Sequence, residues 1–181
     1  MTSLRLLGLL SVLGLPVIAW GSGLPPQTLA ELTGLSDRIV LARVVDQRVN
    51  IPQGNLRQMT TISRLEVLEE YRGQGPRGLE LVQLGGRSGP WESHLVGDAR
   101  VSVGETALMF LRCPDPKAVE RCTLVGLGAG KLTVTSGELG RREVQLTAQV
   151  KGGPAQRVLT EVLDEIRRAI PRPSQQERGK R

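Results

Sequence analysis

His94 is the one histidine of this 181-residue chain, and it lies in Trp91-Glu92-Ser93-His94 with Asp98 four positions on. An acid/base pair or part of a metal site could be imagined there. The pattern stops short of both, because catalytic zinc takes three protein ligands and no HExxH-like spacing is present. Ser88, in Gly85-Gly86-Arg87-Ser88-Gly89-Pro90, is not a nucleophile elbow, since Pro90 stands where the second glycine of G-x-S-x-G belongs. Gly126 to Lys131 is rich in glycine but lacks the G-x-x-x-x-G-K-[ST] spacing, with Leu132 in the hydroxyl position. A strand rather than a helix is expected after it, so no helix N-terminus is offered to a phosphate. No catalytic residue, metal site or cofactor follows from these residues. A hydrolase using the His94 loop is retained only as an alternative.

Cys113 and Cys122 are the only cysteines. Nine positions apart, they do not form a Cys-x-x-Cys redox pair, and they are expected to be a structural disulfide if the chain is exported. Export is the reading of the first residues. Arg5 precedes an apolar run from Leu6 to Ala19, with Pro16 near its end and small residues at Ala19 and Gly21. That is the form of a cleavable signal peptide over residues 1–21, cut before Ser22 or just after Gly23. The run is shorter than the roughly 20 apolar residues a spanning helix needs, and no second long apolar run follows, so the mature chain is not expected to span a membrane. The compartment implied is periplasmic or extracellular.

The formal net charge of +6 is unevenly placed. Residues 166–181 hold Arg167, Arg168, Arg172, Arg178, Lys180 and Arg181 against Glu177. With these and Arg5 set aside, 17 cations face 17 anions. The basicity therefore belongs to the C-terminal end, and residues 171–181, with almost no apolar side chain, are expected to be a disordered basic tail. Nucleic acid is not an expected partner, because only Tyr71, Trp91 and Phe110 remain as aromatic platforms after the leader, and Phe110 sits in a core-like run.

Residues 22–170 are read as one β-rich domain. Thr28-Leu29-Ala30-Glu31 has the capping-box pattern and predicts a short helix to about Leu35. Arg38 to Val49 and Arg57 to Tyr71, separated by a Pro52/Gly54 turn, predict a long antiparallel hairpin. Leu79 to Leu84 is a further strand, and Gly85 to Pro90 is expected to be irregular. Ala107 to Leu111, apolar throughout, suits a strand buried on both faces. Short strands are expected at 123–125, 131–135 and 143–148, with Gly126, Gly128 and Gly130 marking turns or close backbone approach. An amphipathic helix is expected from Gln156 to Ile170. The fold class expected is mainly β, a small antiparallel barrel (OB-like) or sandwich with a short N-terminal helix and an amphipathic C-terminal helix.

Asp37-Arg38-Ile39-Val40-Leu41-Ala42-Arg43-Val44-Val45, followed by the strand ending Glu66-Val67-Leu68-Glu69-Glu70-Tyr71-Arg72-Gly73, resembles the opening hairpin of netrin-like, tissue-inhibitor-type OB-fold domains over residues 37–85. The resemblance implies a closed or partly open antiparallel barrel. The N-terminal cysteine and disulfide set of such inhibitors are missing here, so no inhibitory residue carries over. An exported, non-enzymatic binding domain of the cell envelope or secretome is the expected function, with a netrin-like protease inhibitor as an alternative. Its partner would be an envelope or extracellular protein or an anionic surface. The candidate contact surface is the segment Gly85 to Val96, with Trp91, Arg87 and His94, because an exposed tryptophan flanked by glycines is costly to leave in water without a partner.

Overall fold

The computed structural model describes residues 25–114 and 121–171. The expected leader and the basic residues from Arg172 onward lie outside the described residues.

The chain enters through a two-residue strand, β1 (Gln27–Thr28), and Thr28 then caps helix α1 (Leu29–Leu35). The capping box expected from the sequence is formed. The Thr28 N–H donates to Glu31 Oε2 at 2.7 Å, and the Glu31 N–H donates to Thr28 Oγ1 at 3.2 Å. Two long strands follow, β2 (Arg38–Asn50) and β3 (Thr60–Arg72), paired antiparallel along their length. The pairing slips at three places, leaving Val45, Leu68 and Tyr71 as extra residues. Bulges bend a strand and increase its twist, which a small barrel requires. They also account for the exposure of Val45 and Leu68, which the ladder turns outward.

Strand β4 (Gly78–Ser88) pairs antiparallel with β3, and β6 (Thr106–Arg112) pairs antiparallel with β2. Strand β7 (Arg121–Leu124) closes the ring. It runs parallel to β4, with Glu80 opposite Arg121 and Leu81 opposite Cys122, and antiparallel to β6 at Leu111 and Arg112. The strands β2, β3, β4, β7 and β6 thus form a closed five-stranded barrel of OB-like order. Cys113 and Cys122 are joined by a disulfide at this seam.

Strand β6 carries the two-sided burial expected of its apolar run. Ala107, Met109 and Leu111 point into the barrel with Val40, Ala42, Val44, Leu65, Leu81 and Cys122. Leu108 and Phe110 point the other way, into a second core with Ile39, α1 and the C-terminal helix α2 (Leu159–Ala169). The sheet leaves the barrel on that side: β8 (Lys131–Ser136) pairs with the first half of β6, β9 (Arg142–Gln145) pairs with β8, and β11 (Gln156–Val158) pairs with β9. Strand β10 (Val150–Lys151) pairs parallel with β1. Helix α2 lays Leu159, Val162, Leu163 and Ile166 onto this extension, so the amphipathic stripe faces where its period requires.

Two expectations are corrected. The C-terminal helix begins at Leu159 rather than Gln156, because Gln156 to Val158 extend the sheet along β9, and three ladder positions outweigh a weak local preference for helix. The segment Gly85 to Pro90 is not irregular. Strand β4 runs on to Ser88 and turns back as β5 (Trp91–His94), with Ser88 opposite Trp91 and Gly85 opposite His94. Gly89-Pro90 is the turn. Gly89 has φ +55° in its first central position, and the fixed negative φ of Pro90 in the second selects the type II′ class, whose twist suits a hairpin.

The disulfide holds a short strand to the barrel, so its removal is expected to be felt globally. Replacing both cysteines by serine should lower unfolding free energy by roughly 3 kcal/mol, the chain-entropy value for so short a loop. Urea denaturation of the double variant against the oxidised parent checks this.

Candidate functional site

The hairpin β4–β5 stands beside a cavity of about 340 Å³, bounded below by Gln47, Arg48 and Thr61 of β2 and β3 and on the far side by residues 98–102. Arg87, Glu92, Ser93 and His94 form its hairpin wall. Trp91 is not in that wall. The structure therefore brings together two of the three candidate residues, Arg87 and His94, and leaves the indole outside, 60% exposed. Strand alternation puts Glu92 and His94 on one face and Trp91 on the other, although Ser93, on the Trp91 face, also borders the cavity. Gly85 lets the hairpin close: its φ is +89°, and a Cβ there would stand 2.3 Å from the Ser93 carbonyl oxygen.

The Asp98 carboxylate accepts the Ala99 N–H at 2.8 Å, and among the described residues no carboxylate is hydrogen-bonded to the imidazole. Ser88 lies at the hairpin turn, opposite Trp91 and away from His94 in register. The glycines of 126–130 form a tight turn before β8, in which the Gly128 N–H donates to the Gly97 carbonyl at 2.7 Å, a close backbone approach of the kind expected.

The residues that shape the site were not visible in the sequence. The segment 97–102, between β5 and β6, is a strap whose carbonyl groups are taken one by one by side chains from separate elements. Gln149 Nε2 donates to Gly97 O at 3.1 Å, Gln83 Nε2 to Ala99 O at 2.8 Å, Lys131 Nζ to Arg100 O at 2.5 Å and Gln47 Nε2 to Val101 O at 2.8 Å. Each bond ties one strap carbonyl to a different element, so these four donors fix where the strap lies. On its other side is a second cavity of about 420 Å³, with Lys131, Thr133 and Gln149 in its lining. Asp98, Ala99 and Arg100 line both, so the strap is the wall between the two.

Lys131 is the anchor of this arrangement. It is buried, and its ammonium is matched by Glu105 Oε1 at 2.5 Å, which also accepts from Thr133 Oγ1 at 2.7 Å. The second Glu105 oxygen accepts the Ser102 N–H at 3.1 Å, at the end of the strap. Burial pushes the Glu105 carboxyl up, but the hydrogen bonds from Lys131 and Thr133 and the Lys131 charge outweigh it and hold the group below its ordinary 4.5. No family model matches this chain, and no curated protein matches it in sequence.

A carboxyl held below its ordinary value stabilises the fold above that value and stops doing so as the pH falls through its native-state value. Protection of the amides at Gly97 to Ser102, corrected for the intrinsic slowing of exchange in acid, should therefore fall on acidification below about 4.5. In Glu105→Gln the same amides should exchange faster at neutral pH, with a much flatter acid response, as exchange measured by mass spectrometry over a pH series would show.

Proposed function

We propose that this chain is an exported, non-enzymatic binding domain of the cell envelope or secretome, and that it makes contact through the β4–β5 hairpin. The carrying observation is Trp91, an exposed indole on a four-residue strand whose side chains are all exposed. A large aromatic group left in water on a projecting edge has the character of an interface anchor. Arg87 and His94 supply polar contacts beside it, in the cavity wall. The Cys113–Cys122 disulfide supports an oxidising compartment, and no helix among the described residues is long and apolar enough to cross a membrane. Together with the leader read at residues 1–21, this supports a working site in the periplasm or the medium. The partner is an envelope or extracellular protein, or an anionic surface met by the basic C-terminal residues.

The OB-like strand order favours a second reading, since residues 37–85, which resemble netrin-like domains, are the β2–β3–β4 part of the barrel. A protease inhibitor of that type would inhibit one member of a panel of secreted proteases stoichiometrically; a clean negative removes it. For the first reading, Trp91→Ala should lose capture of envelope or medium components by the mature chain while its melting temperature is unchanged. Capture retained with a lowered melting temperature would make Trp91 a packing residue and end the proposal.

A further inference from the structure

Strand β5 pairs with β4 on one side, and its other edge pairs with no described strand. The hairpin geometry decides which backbone groups that edge offers. With a two-residue turn, Ser88 and Trp91 are a hydrogen-bonded pair, Arg87 and Glu92 are not, and the alternation continues along the ladder. Gly85 bears this out. Its N–H donates to Met59 O at 2.8 Å and its carbonyl accepts from Thr61 Oγ1 at 2.9 Å, so it turns away from His94, its opposite residue. The N–H and C=O groups of Glu92 and His94 therefore point outward from the hairpin.

We infer that this edge pairs with the same edge of a second copy of the chain, antiparallel and centred on Ser93. The proposal rests on the reading of the hairpin as a contact surface and names its occupant. Backbone parity selects the register, because the two outward-facing residues must meet each other, which sets Glu92 against His94 of the other copy and His94 against its Glu92. Centring on Glu92 would oppose two carboxylates and bring Pro90, which has no N–H, against His94. Centring on His94 would oppose two imidazoles. In the Ser93-centred register each acidic group faces an imidazole, and Trp91 faces Leu95, both exposed apolar side chains in the free chain. The order Trp-Glu-Ser-His-Leu is thus self-complementary about its middle residue, as a twofold interface requires. Exposed edges are ordinarily protected against such pairing by charged side chains or proline within the strand; β5 has no proline between Trp91 and His94, and its one carboxylate, Glu92, is set against an imidazole in this register. A strand this short makes a small interface, so the association is weak and concentration-dependent.

The test is a cysteine placed in turn at positions 92, 93 and 94 of the oxidised mature chain, whose native cysteines are already bonded to each other. Only position 93 meets its own copy. It is a non-hydrogen-bonded pair with Cα atoms about 4.5 Å apart, within disulfide reach. Ser93→Cys should give a covalent dimer by intact mass, Glu92→Cys and His94→Cys should not, and the parent should show concentration-dependent association in sedimentation. His94→Pro, which removes an outward N–H without touching a β4–β5 bond, should abolish that association. Glu92→Lys should weaken it, and adding His94→Glu should restore it. A parent that stays monomeric at all concentrations, or equal cross-linking at all three positions, overturns the pairing. Either result leaves capture of other components through Trp91 standing, so the two proposals fail separately.

Discussion

Closure of the barrel through β7 is the constraint on which the remaining structure depends. That strand has four residues and meets β4 and β6 at only two positions each, too few hydrogen bonds to hold a barrel shut against chain entropy. The disulfide makes the β6–β7 side of the seam covalent, and its Cys122 is also a buried member of the barrel core, opposite Leu81 of β4. Outside the seam, Glu80 takes Arg121 at 3.0 Å and Arg48 at 2.6 Å, tying β7 to β4 and β2, and these contacts hold the Glu80 carboxyl below its ordinary range. Asp37 adds a hydrogen bond from the Cys113 N–H at 2.9 Å.

With the ring closed, β6 must share one edge between two strands, β7 along its last residues and β8 along its first. The sheet consequently runs out of the barrel through β8, β9 and β11, and the surface it exposes is covered by α1 and α2. The protein has two cores separated by β2 and β6, and both strands need apolar side chains on both faces. That is the reason for the unbroken run at 107–111 and for Ile39 to Ala42.

On the other flank, β4 outruns its barrel partners and returns as β5, with the connection to β6 folded back as the strap. The strap has no regular hydrogen bonding of its own. Its position comes from amide groups on β2, on β4 and before β10 and from one buried ammonium, so the cavities on either side inherit their shape from the whole fold. The hairpin by contrast is local, and its free edge depends only on a turn and an alternation.

Much of this was legible from residue order because it rests on local physics. The capping box at Thr28, the long β2–β3 hairpin, the two-sided strand at 107–111 and the stripe of α2 each follow from spacing within one segment. The Gly85 to Pro90 stretch departs from its expected irregularity because Gly89-Pro90 is the turn of a hairpin and Gly85 the place where its two strands approach. Gln47, Gln83, Lys131 and Gln149 carried no signal at all: each is an ordinary polar residue until the fold brings a strap carbonyl to it. The sequence by itself determined the principal elements, namely α1, the β2–β3 hairpin, the 107–111 strand and the α2 stripe, together with the cysteine pair, since these depend on periodicity, composition and neighbours in the chain. Only the tertiary structure decided the ring closure, the cavity beside Arg87 and His94, and the Lys131–Glu105 pair, because each depends on residues distant in the chain being brought together by the fold.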